Sequence, residues 1–363
     1  MNSISRRSFL TGAGTLALGA LAATSLAGCG GSSSSNTNNT NNANNSNTNT
    51  ANYTEASVRV GYWAGTCESP LYVAYEKGYF DEFKIKAEMV KITSGSSAFL
   101  KEGGNCIFEA TPNFLPMIVN GLDVKFISGA HTGCLQGVAT TASGITSPKD
   151  LVGKKVGLFS NSGDPGEVYL KAAMKDEGLD YNQTEWIVEG SIGTIMTEVK
   201  AGNIDAFAYF DPYGEIATKY FGMKQFYANA TDPKYKDHIC CFLAANPAIY
   251  NDSELSNRVA QAVEKACQWI QSNPEDAAKL IQDKAYVAES KSLLQNFGVD
   301  TSSVKTSDIH EDLLKSYTFG DPGSKSKFEE DVKLQWQIIE KAGMLPSGKT
   351  VDQLVESVSM YAL

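Results

Sequence analysis

The feature that most constrains this chain is a recurring order of short apolar strand, small polar loop and amphipathic helix. The first copy spans residues 58–80, VRVGYWAGTCESPLYVAYEKGYF, and begins with the alternation of a buried strand. Ser69 is placed to cap the helix that follows, Pro70 suits its first position and Gly78 suits its end. Open α/β sheets hold small ligands in loops between a strand and a helix N-terminus, so the pattern predicts a pocket at residues 63–69.

The same order returns along most of the chain. Further strands are predicted at residues 84–92, 105–110, 123–128, 156–159, 186–188 and 204–209. Strands at 136–142 and 239–245 are predicted to cross between two halves, and the chain from Asn251 onward has helical periodicity, with Asn251 and Glu254 as a capping box. The folded part, from about Tyr53 to Leu363, is too long for one small domain. We expect an α/β fold of two lobes, each a doubly wound sheet, with extra C-terminal helices.

Residues 1–28 have the features of an export signal. A twin-arginine motif, Ser5 to Leu10, precedes an apolar stretch at 16–26 that is too short to span a bilayer. The segment then ends in Leu-Ala-Gly before Cys29, which resembles a bacterial lipoprotein signal and implies lipidation of Cys29. The alternatives are an uncleaved anchor and a secretory signal with a chance cysteine. Residues 29–52 are mainly Ser, Asn and Thr, which predicts a disordered tether.

Charge and cysteine content exclude two classes of protein. The formal net charge is -10, and it becomes -12 once Arg6 and Arg7 leave with the signal (29 basic against 41 acidic residues), so a nucleic-acid partner is not expected. Six cysteines beyond Cys29 are too few for a disulfide scaffold in a domain of this size. The neighbours Cys240 and Cys241 are not expected to pair, because vicinal disulfides are strained.

Three further stretches carry a family resemblance. They are LYVAYEKGYF at 71–80, DLVGKKVG at 150–157 and AGNIDA at 201–206, the last followed by Asp-Pro-Tyr at 211–213. Their order resembles the periplasmic binding proteins that serve ABC importers of nitrate, sulfonates, taurine and thiamine precursors, over residues 58–270. The resemblance implies the two-lobed type II fold, cleft closure on a small solute, an ABC permease as partner, no catalysis and no cofactor. We expect a monomer, tethered at the cell surface or in a periplasm.

The resemblance also sets the expected lobe limits and the expected site. Residues 53–138 and 246–363 are predicted to form the first lobe and residues 139–245 the second. The loops that the resemblance places at the cleft contain the candidate ligand-binding residues Trp63, Cys67, Glu68, Ser69, Ser94, Ser96, Ser97, Glu109, Thr111, His131, Thr132, Cys134, Asn161, Ser162, Asp211 and Tyr213. The alternative for the serines and Asn161 is helix capping, for Trp63 a place in the core, and for His131 a place on the surface.

The charged candidates predict the kind of ligand. The cleft loops carry Glu68, Glu109, Asp164 and Asp211 and no Arg or Lys, whereas an anion site usually needs a cation or many donors. Carboxylates near aromatic rings favour an amine, a cationic heterocycle or a pyrimidine-like ring. We therefore expect an organic ligand that contains nitrogen.

Three other functions fit parts of the sequence less well. Residues 343–350, GMLPSGKT, satisfy a phosphate-loop pattern but follow a predicted helix, Phe328 to Lys341, instead of a strand. His131-x-x-Cys134 and His238-x-Cys240-Cys241 could supply metal ligands from two lobes, which makes a metal-ion binding protein one alternative, but their spacing is not a standard zinc spacing and no metal site is expected. An enzyme on the same fold, similar to a pyrimidine synthase, is the remaining alternative; the export signal favours the binding protein.

Overall fold

Two five-stranded sheets form the framework of the computed structural model, which describes residues 53–161 and 163–363. The strands are β1 Ala56–Tyr62, β2 Ile85–Lys91, β3 Cys106–Ala110, β4 Lys125–Thr132, β5 Leu135–Thr140, β6 Lys155–Leu158, β7 Glu185–Val188, β8 Ala206–Phe210, β9 Met223–Ala228 and β10 Ile239–Ala245. The predicted signal, the lipidation site Cys29, the Ser/Asn/Thr segment and the candidate Ser162 lie outside the described residues.

Helices connect the strands and fill the C-terminal third. They are α1 Ser69–Glu76, α2 Tyr79–Glu82, α3 Ser96–Lys101, α4 Thr111–Val119, α5 Pro165–Asp176, α6 Ile192–Ala201, α7 Tyr213–Tyr220, α8 Pro247–Tyr250, α9 Ser253–Ser272, α10 Pro274–Asp283, α11 Ala288–Asn296, α12 Thr306–Ser316, α13 Lys325–Lys341 and α14 Val351–Val358. Within the described residues, none of these helices is both long and apolar enough to cross a membrane.

The two sheets have the same topology. Their strand orders are β2-β1-β3-β10-β4 and β7-β6-β8-β5-β9, and we call the sheets with their helices the first and second lobe. In each lobe the fourth strand of the order, β10 or β5, runs antiparallel to its neighbours. The loops after the parallel strands therefore meet at one edge of each sheet, as the repeated strand–loop–helix pattern predicts. The expected α/β fold of two doubly wound sheets is confirmed.

The chain crosses between the lobes twice, and the sheet that residues 239–245 join after the second crossing differs from our expectation. The chain passes from β4 to β5 through Gly133 and Cys134, and it returns from β9 to β10 through residues 229–238. β10 hydrogen-bonds with β3 and β4, so it belongs to the first sheet and not to the second lobe in which we placed it. Its seven residues are all buried, and a strand made only of apolar residues does not reveal from the sequence which sheet it joins. Apart from the placement of β10, the lobe limits predicted from the sequence remain a prediction.

Local capping differs from the expectation at two helices. Ser69 does not cap α1; it is the first helical residue, and its hydroxyl donates to the carbonyl oxygen of Thr66 at 2.6 Å, because a short 3-10 turn at residues 66–68 begins the helix earlier. At α9 the cap is Asp252, whose carboxylate accepts from the backbone N–H of Leu255, and not the predicted Asn251. Asp is among the strongest N-cap residues, so the correction moves the start by one residue.

The C-terminal helices contact both lobes. Tyr286, before α11, stacks on Tyr72 of α1 with ring centroids 4.2 Å apart, while Phe297, after α11, stacks on Phe221 of the second lobe at 4.3 Å. On α13, the side chain of Gln335 accepts from the hydroxyl of Tyr169 in the second lobe and donates to the backbone of β10. These helices therefore brace the two lobes against each other.

Candidate functional site

Two adjoining cavities lie between the lobes, at the edge where the strand-to-helix loops of both sheets meet. The deeper one has a volume of about 40 Å³ and the outer one about 310 Å³. Both are lined by Trp63, Glu109 and Asn113 from the first lobe and by Pro165 and Phe210 from the second. The outer volume lies in the range of small-molecule sites. We refer to the two cavities together as the cleft.

Aromatic rings form much of the cleft wall. Tyr209 and Phe210 lie side by side with centroids 4.2 Å apart, and Phe159 contacts Tyr209 at 5.3 Å. Trp63 faces them from the first lobe, in the elbow after β1. Aromatic rings that line one cavity from both lobes can hold a flat ligand by burial of its apolar surface and by stacking.

Glu109 is the carboxylate that lines both cavities. One of its oxygens accepts from the indole N–H of Trp63 at 2.8 Å and from the hydroxyl of Ser96, which also contacts the same indole at 3.1 Å. Burial raises the pKa of Glu109, although the donors Ser96, Trp63 and Asn113 oppose that rise. Glu109 therefore places a carboxyl group at the wall of both cavities, where it can meet an N–H group of a ligand.

Glu68 lines the deeper cavity, and its oxygens hold the elbow of the first lobe together. Its two oxygens accept from the backbone N–H groups of Trp63 (2.9 Å to each) and Gly65 (2.8 Å) and from the hydroxyl of Tyr72 (2.9 Å). Burial raises the pKa of Glu68 to about 8, against the effect of these donors. The side chain thereby fixes the position of Trp63 in the cleft.

Asp164 and Asp211 are also occupied by the protein's own donors. The carboxylate of Asp164 accepts from four backbone N–H groups around the start of α5, at 2.8–3.3 Å, and caps that helix. Asp211 accepts from the backbone N–H of Cys67 and from the hydroxyl of Tyr317. Of the four carboxylates on which we based the expected ligand charge, Glu109 alone lines both cavities.

Two contacts bring the lobes together beside the cleft. The Cys67–Asp211 bond joins the elbow of the first lobe to the end of β8 in the second. Gly163, in the loop before α5, lies so close to the start of α4 that a Cβ on it would be 2.4 Å from the carbonyl oxygen of Pro112. The structure therefore has the two loop edges in direct contact, as in a closed cleft.

The predicted site residues fall into two groups. Seven of them line the cleft: Trp63, Cys67, Glu68, Ser96, Ser97, Glu109 and Cys134. The others lie behind or beside it: Ser69, Ser94, Thr111, His131, Thr132, Asn161, Asp211 and Tyr213. Thr132 illustrates the second group, since its hydroxyl accepts from the backbone N–H of Thr318. The exposed Asn161 is flanked in the loop by Ser160, which does line the cleft.

Several lining residues were missed from the sequence. They are the aromatic residues Phe108, Phe159, Tyr169, Tyr209 and Phe210, the amides Asn113 and Asn229, and the cysteines Cys240 and Cys241. Phe159 is the last residue of one predicted strand and Phe210 directly follows another. Their positions beside the loops could have identified them as cleft residues. Asn229 and Cys240 come from the return crossing, and its course over the cleft floor depends on the tertiary fold.

Side chains of metal-ligand type meet at the floor of the cleft. His131, Cys134, Cys240 and Cys241 are buried, and one ligand atom from each lies within 4.8 Å of the others. His238, which we grouped with the two cysteines from its spacing, is instead paired with Asp331 at 2.6 Å. The cysteines within the described residues are free thiols.

Comparisons with known proteins give a family and a fold. Residues 66–277 match the family model described as NMT1/THI5 like. A protein of Brucella abortus (strain 2308) named as a binding protein is 26% identical over 229 residues, which is 61% of this chain and 70% of that protein.

Solved structures extend the likeness to the fold. The alkanesulfonate-binding protein of Xanthomonas axonopodis pv. citri bound to MOPS superposes with a TM-score of 0.63 at 14% identity, covering 85% of this chain and 100% of that one. The periplasmic nitrate-binding protein of Synechocystis PCC 6803 superposes with a TM-score of 0.65 at 14% identity, over 84% and 86% of the two chains.

Proposed function

Since this chain belongs to the NMT1/THI5-like family, we propose that it is a solute-binding protein that closes its two lobes on a small organic molecule and delivers it to an ABC importer. The cleft is the observation that carries the proposal, because loops from both lobes line it and contact each other beside it. That arrangement suits hinge closure around a ligand. A rival function, an enzyme on the same fold, would convert the ligand instead of releasing it.

The lining of the cleft defines the proposed ligand class. Among the described residues that line it, none is a Lys or Arg, so a nitrate or a sulfonate would meet no counter-charge. Trp63 and Phe210 provide apolar ring surface. Glu109 and Asn113 provide hydrogen-bond acceptors in the same cavity. We therefore propose a flat molecule with at least one N–H donor, such as a nitrogen heterocycle or an aromatic amine.

A thermal-shift screen of the full chain tests this ligand class. Aminopyrimidines, small amines, nitrate, taurine and an alkanesulfonate are compared at matched concentrations. A ligand at 100 times its Kd adds about 2.7 kcal/mol to the free energy of unfolding, which is a readily measured rise in Tm. We expect a nitrogen compound to raise Tm; a rise with nitrate or the sulfonate alone would refute the ligand class.

Matched variants show whether the hit binds in the cleft. Glu109→Gln removes the proposed acceptor, and Glu102→Gln changes an exposed glutamate of the same lobe. The Tm rise should shrink in the first variant and remain in the second. Mass spectrometry of the incubated hit decides between the two functions, since recovery of unchanged compound supports a binding protein and any product supports the enzyme.

We further propose that lipid on Cys29 anchors the protein outside the cytoplasm and that it acts as a monomer. The lipobox-like Leu-Ala-Gly-Cys at 26–29 after the twin-arginine motif supports this proposal. Cys29→Ala should move the protein from the membrane fraction to the soluble fraction outside the cytoplasm, whereas Cys106→Ala should not. Membrane retention of Cys29→Ala would refute the lipid anchor.

A further inference from the structure

We propose that His131, Cys134, Cys240 and Cys241 bind one thiophilic d10 metal ion, Zn²⁺ or Cu⁺, at the floor of the cleft. The proposal goes beyond solute binding and does not depend on it, because the four side chains are placed by β4, the turn that follows β4, and β10. Three thiolates and one imidazole form a ligand set that such ions favour.

The distances between the ligand atoms suit a tetrahedral site. Sγ of Cys134 lies 3.8 Å from Sγ of Cys240 and 3.6 Å from Sγ of Cys241, and the last two are 3.6 Å apart. One ligand nitrogen of the His131 ring lies within 4.8 Å of all three sulfurs. With Zn–S bonds of about 2.3 Å, two sulfurs of a tetrahedron are about 3.8 Å apart. An ion therefore fits between these atoms without a large rearrangement.

The backbone is shaped so that both neighbouring cysteines point inward. Consecutive residues of a regular strand face opposite sides of the sheet, yet the sulfurs of Cys240 and Cys241 are in contact. The register of β10 against β4 is irregular between Ile239 and Cys241 and again between Cys241 and Phe242, which indicates a bulge at this point. Bulges of this kind re-aim side chains beside functional sites.

Cys134 also adopts an uncommon backbone conformation. Its φ is 99°, in the region that residues with a Cβ rarely occupy, and it follows Gly133 with φ 78°. This turn carries the chain from the first sheet to the second and directs the Cys134 thiol toward the two cysteines of β10. The surrounding structure holds a strained residue at the point where a ligand is required, which is typical of functional sites.

A buried nitrogen without a partner points to the ion independently of the sulfurs. His131 is fully buried, and its Nε2 has no hydrogen-bond partner in the part of the chain that the structure describes. Its other nitrogen, Nδ1, lies 3.1 Å from the carbonyl oxygen of Thr132. A buried polar atom normally has a partner, because leaving it unpaired is costly. We therefore assign Nε2 to the ion, while the N–H at Nδ1 donates to Thr132, and the two together satisfy the imidazole completely.

The position of the site gives the ion a structural role. Cys134 lies on the crossing from the first lobe to the second, and Cys240 lies at the end of the return crossing. An ion between them ties the two crossings together beneath the cleft. Four protein ligands in a buried place form a closed site, so we infer a retained ion and not a transported one.

The test uses the full chain with Cys29→Ala, reduced and stripped of metal by a chelator. Zn²⁺ is titrated against a competing chelator, and Cu⁺ is titrated anaerobically in a parallel arm. Co²⁺ serves as a spectroscopic probe, because tetrahedral thiolate coordination gives intense visible bands. We expect one equivalent of Zn²⁺ or Cu⁺ to bind, and the arm with the tighter binding identifies the ion.

A variant and a control separate the site from other thiols. Cys134→Ala/Cys240→Ala should lower the affinity at least about 100-fold, since even indirect changes around metal sites cost 10–100-fold. Cys106→Ala is the control. It removes an equally buried thiol at the start of β3, outside the proposed site, and should leave the affinity for the metal ion unchanged. If the double variant fails to fold, the Co²⁺ spectrum of the parent chain still decides, because non-thiolate binding lacks the charge-transfer band.

Two results would overturn the proposal. One is binding of less than one equivalent of either ion, or affinity that the double variant retains. The other is a disulfide from Cys134 to Cys240 or Cys241 in protein isolated from the exporting cell. Neither result bears on the solute screen, whose hits are scored with the same chain free of metal.

Discussion

The backbone N–H of Cys67 donates a hydrogen bond to Oδ1 of Asp211 over 3.1 Å and so joins the first lobe to the second. The other oxygen of the same carboxylate accepts from the hydroxyl of Tyr317. Asp211 is fully buried, and burial raises its pKa, although Tyr317 and Cys67 act in the opposite direction. We interpret Asp211 as a clasp of the closed cleft and not as a ligand residue.

Asp211→Ala should therefore destabilise the protein and favour the open form. The change leaves the buried donors of Cys67 and Tyr317 unpaired, which costs about 1–3 kcal/mol. Asp211→Asn is the control, because its amide oxygen still accepts from Cys67 and the loss should be smaller. Urea unfolding of the three proteins measures the difference; equal stability of the alanine and asparagine variants would contradict the role as a clasp.

Glu68 predicts a particular dependence of stability on pH. Its pKa is about 8 in the folded protein against 4.5 for an ordinary glutamate, so the native state keeps a proton that the unfolded state has lost. The free energy of unfolding should fall as pH rises from about 4.5 to about 8, by at most about 1.4 kcal/mol per pH unit from this group. Asp164, with a pKa of about 6, adds to the fall in the lower half of that range.

Glu68→Gln isolates that contribution. The variant lacks the titrating group, so its stability should change less with pH between 5 and 8 than that of the parent. It should differ least from the parent at pH 5, where Glu68 also carries a proton and its neutral carboxyl group resembles the amide, and most near pH 8. Unfolding curves across pH measure both effects, and parallel pH profiles for the two proteins would show that Glu68 is not the group responsible.

A side chain at position 163 is expected to hold the cleft open. The φ of Gly163 is 72°, and a Cβ there would be 2.4 Å from the carbonyl oxygen of Pro112 in the opposite lobe. Gly163→Ala should separate the loop edges and increase the radius of gyration in small-angle X-ray scattering. Gly190→Ala is the matched control, since Gly190 also has a positive φ, 63°, but has no atom within 4 Å of the added Cβ. If both variants behave alike, backbone strain and not lobe contact explains the effect.

The period-two and helical patterns predicted most of the fold. β1, β3 and α4 lie where the alternation and the loop residues put them, because a buried strand and an amphipathic helix leave distinct local patterns. The strand at 223–228 was missed, since its edge position leaves Lys224 and Gln225 exposed. The sheet to which residues 239–245 belong depends on tertiary pairing, which a wholly apolar run does not reveal.

The strand pattern brings some of the candidate residues to the cleft, and their role in binding a ligand remains a prediction. Trp63, Ser96 and Glu109 line the cleft, because loops at the carboxyl ends of parallel strands meet at one edge. The engagement of Glu68, Asp164 and Asp211 by backbone donors could not be predicted, since each of those bonds depends on the exact course of a loop. The metal-ligand residue types at His131, Cys134, Cys240 and Cys241 were recognised in the sequence, but their meeting at one point depends on the tertiary fold.

Variants of Trp63 separate two contributions to ligand binding, the aromatic ring surface and the hydrogen bond that positions Glu109. Trp63→Phe keeps a ring in the cleft but removes the N–H that holds Glu109, and Trp63→Ala removes both. For a hit of the thermal-shift screen, the alanine variant should lose about 1 kcal/mol more binding free energy than the phenylalanine variant, because aromatic pairs contribute about that amount beyond burial. Isothermal titration calorimetry measures both; equal losses would assign the effect of Trp63 to Glu109 alone.

The most direct test of the account is a crystal structure of the full chain grown with the strongest hit of the screen. We predict density for the compound between the ring of Trp63 in the first lobe and that of Phe210 in the second, with a nitrogen of the compound beside the carboxylate of Glu109. Density for the compound on any other surface, with that space filled only by solvent, would contradict the account.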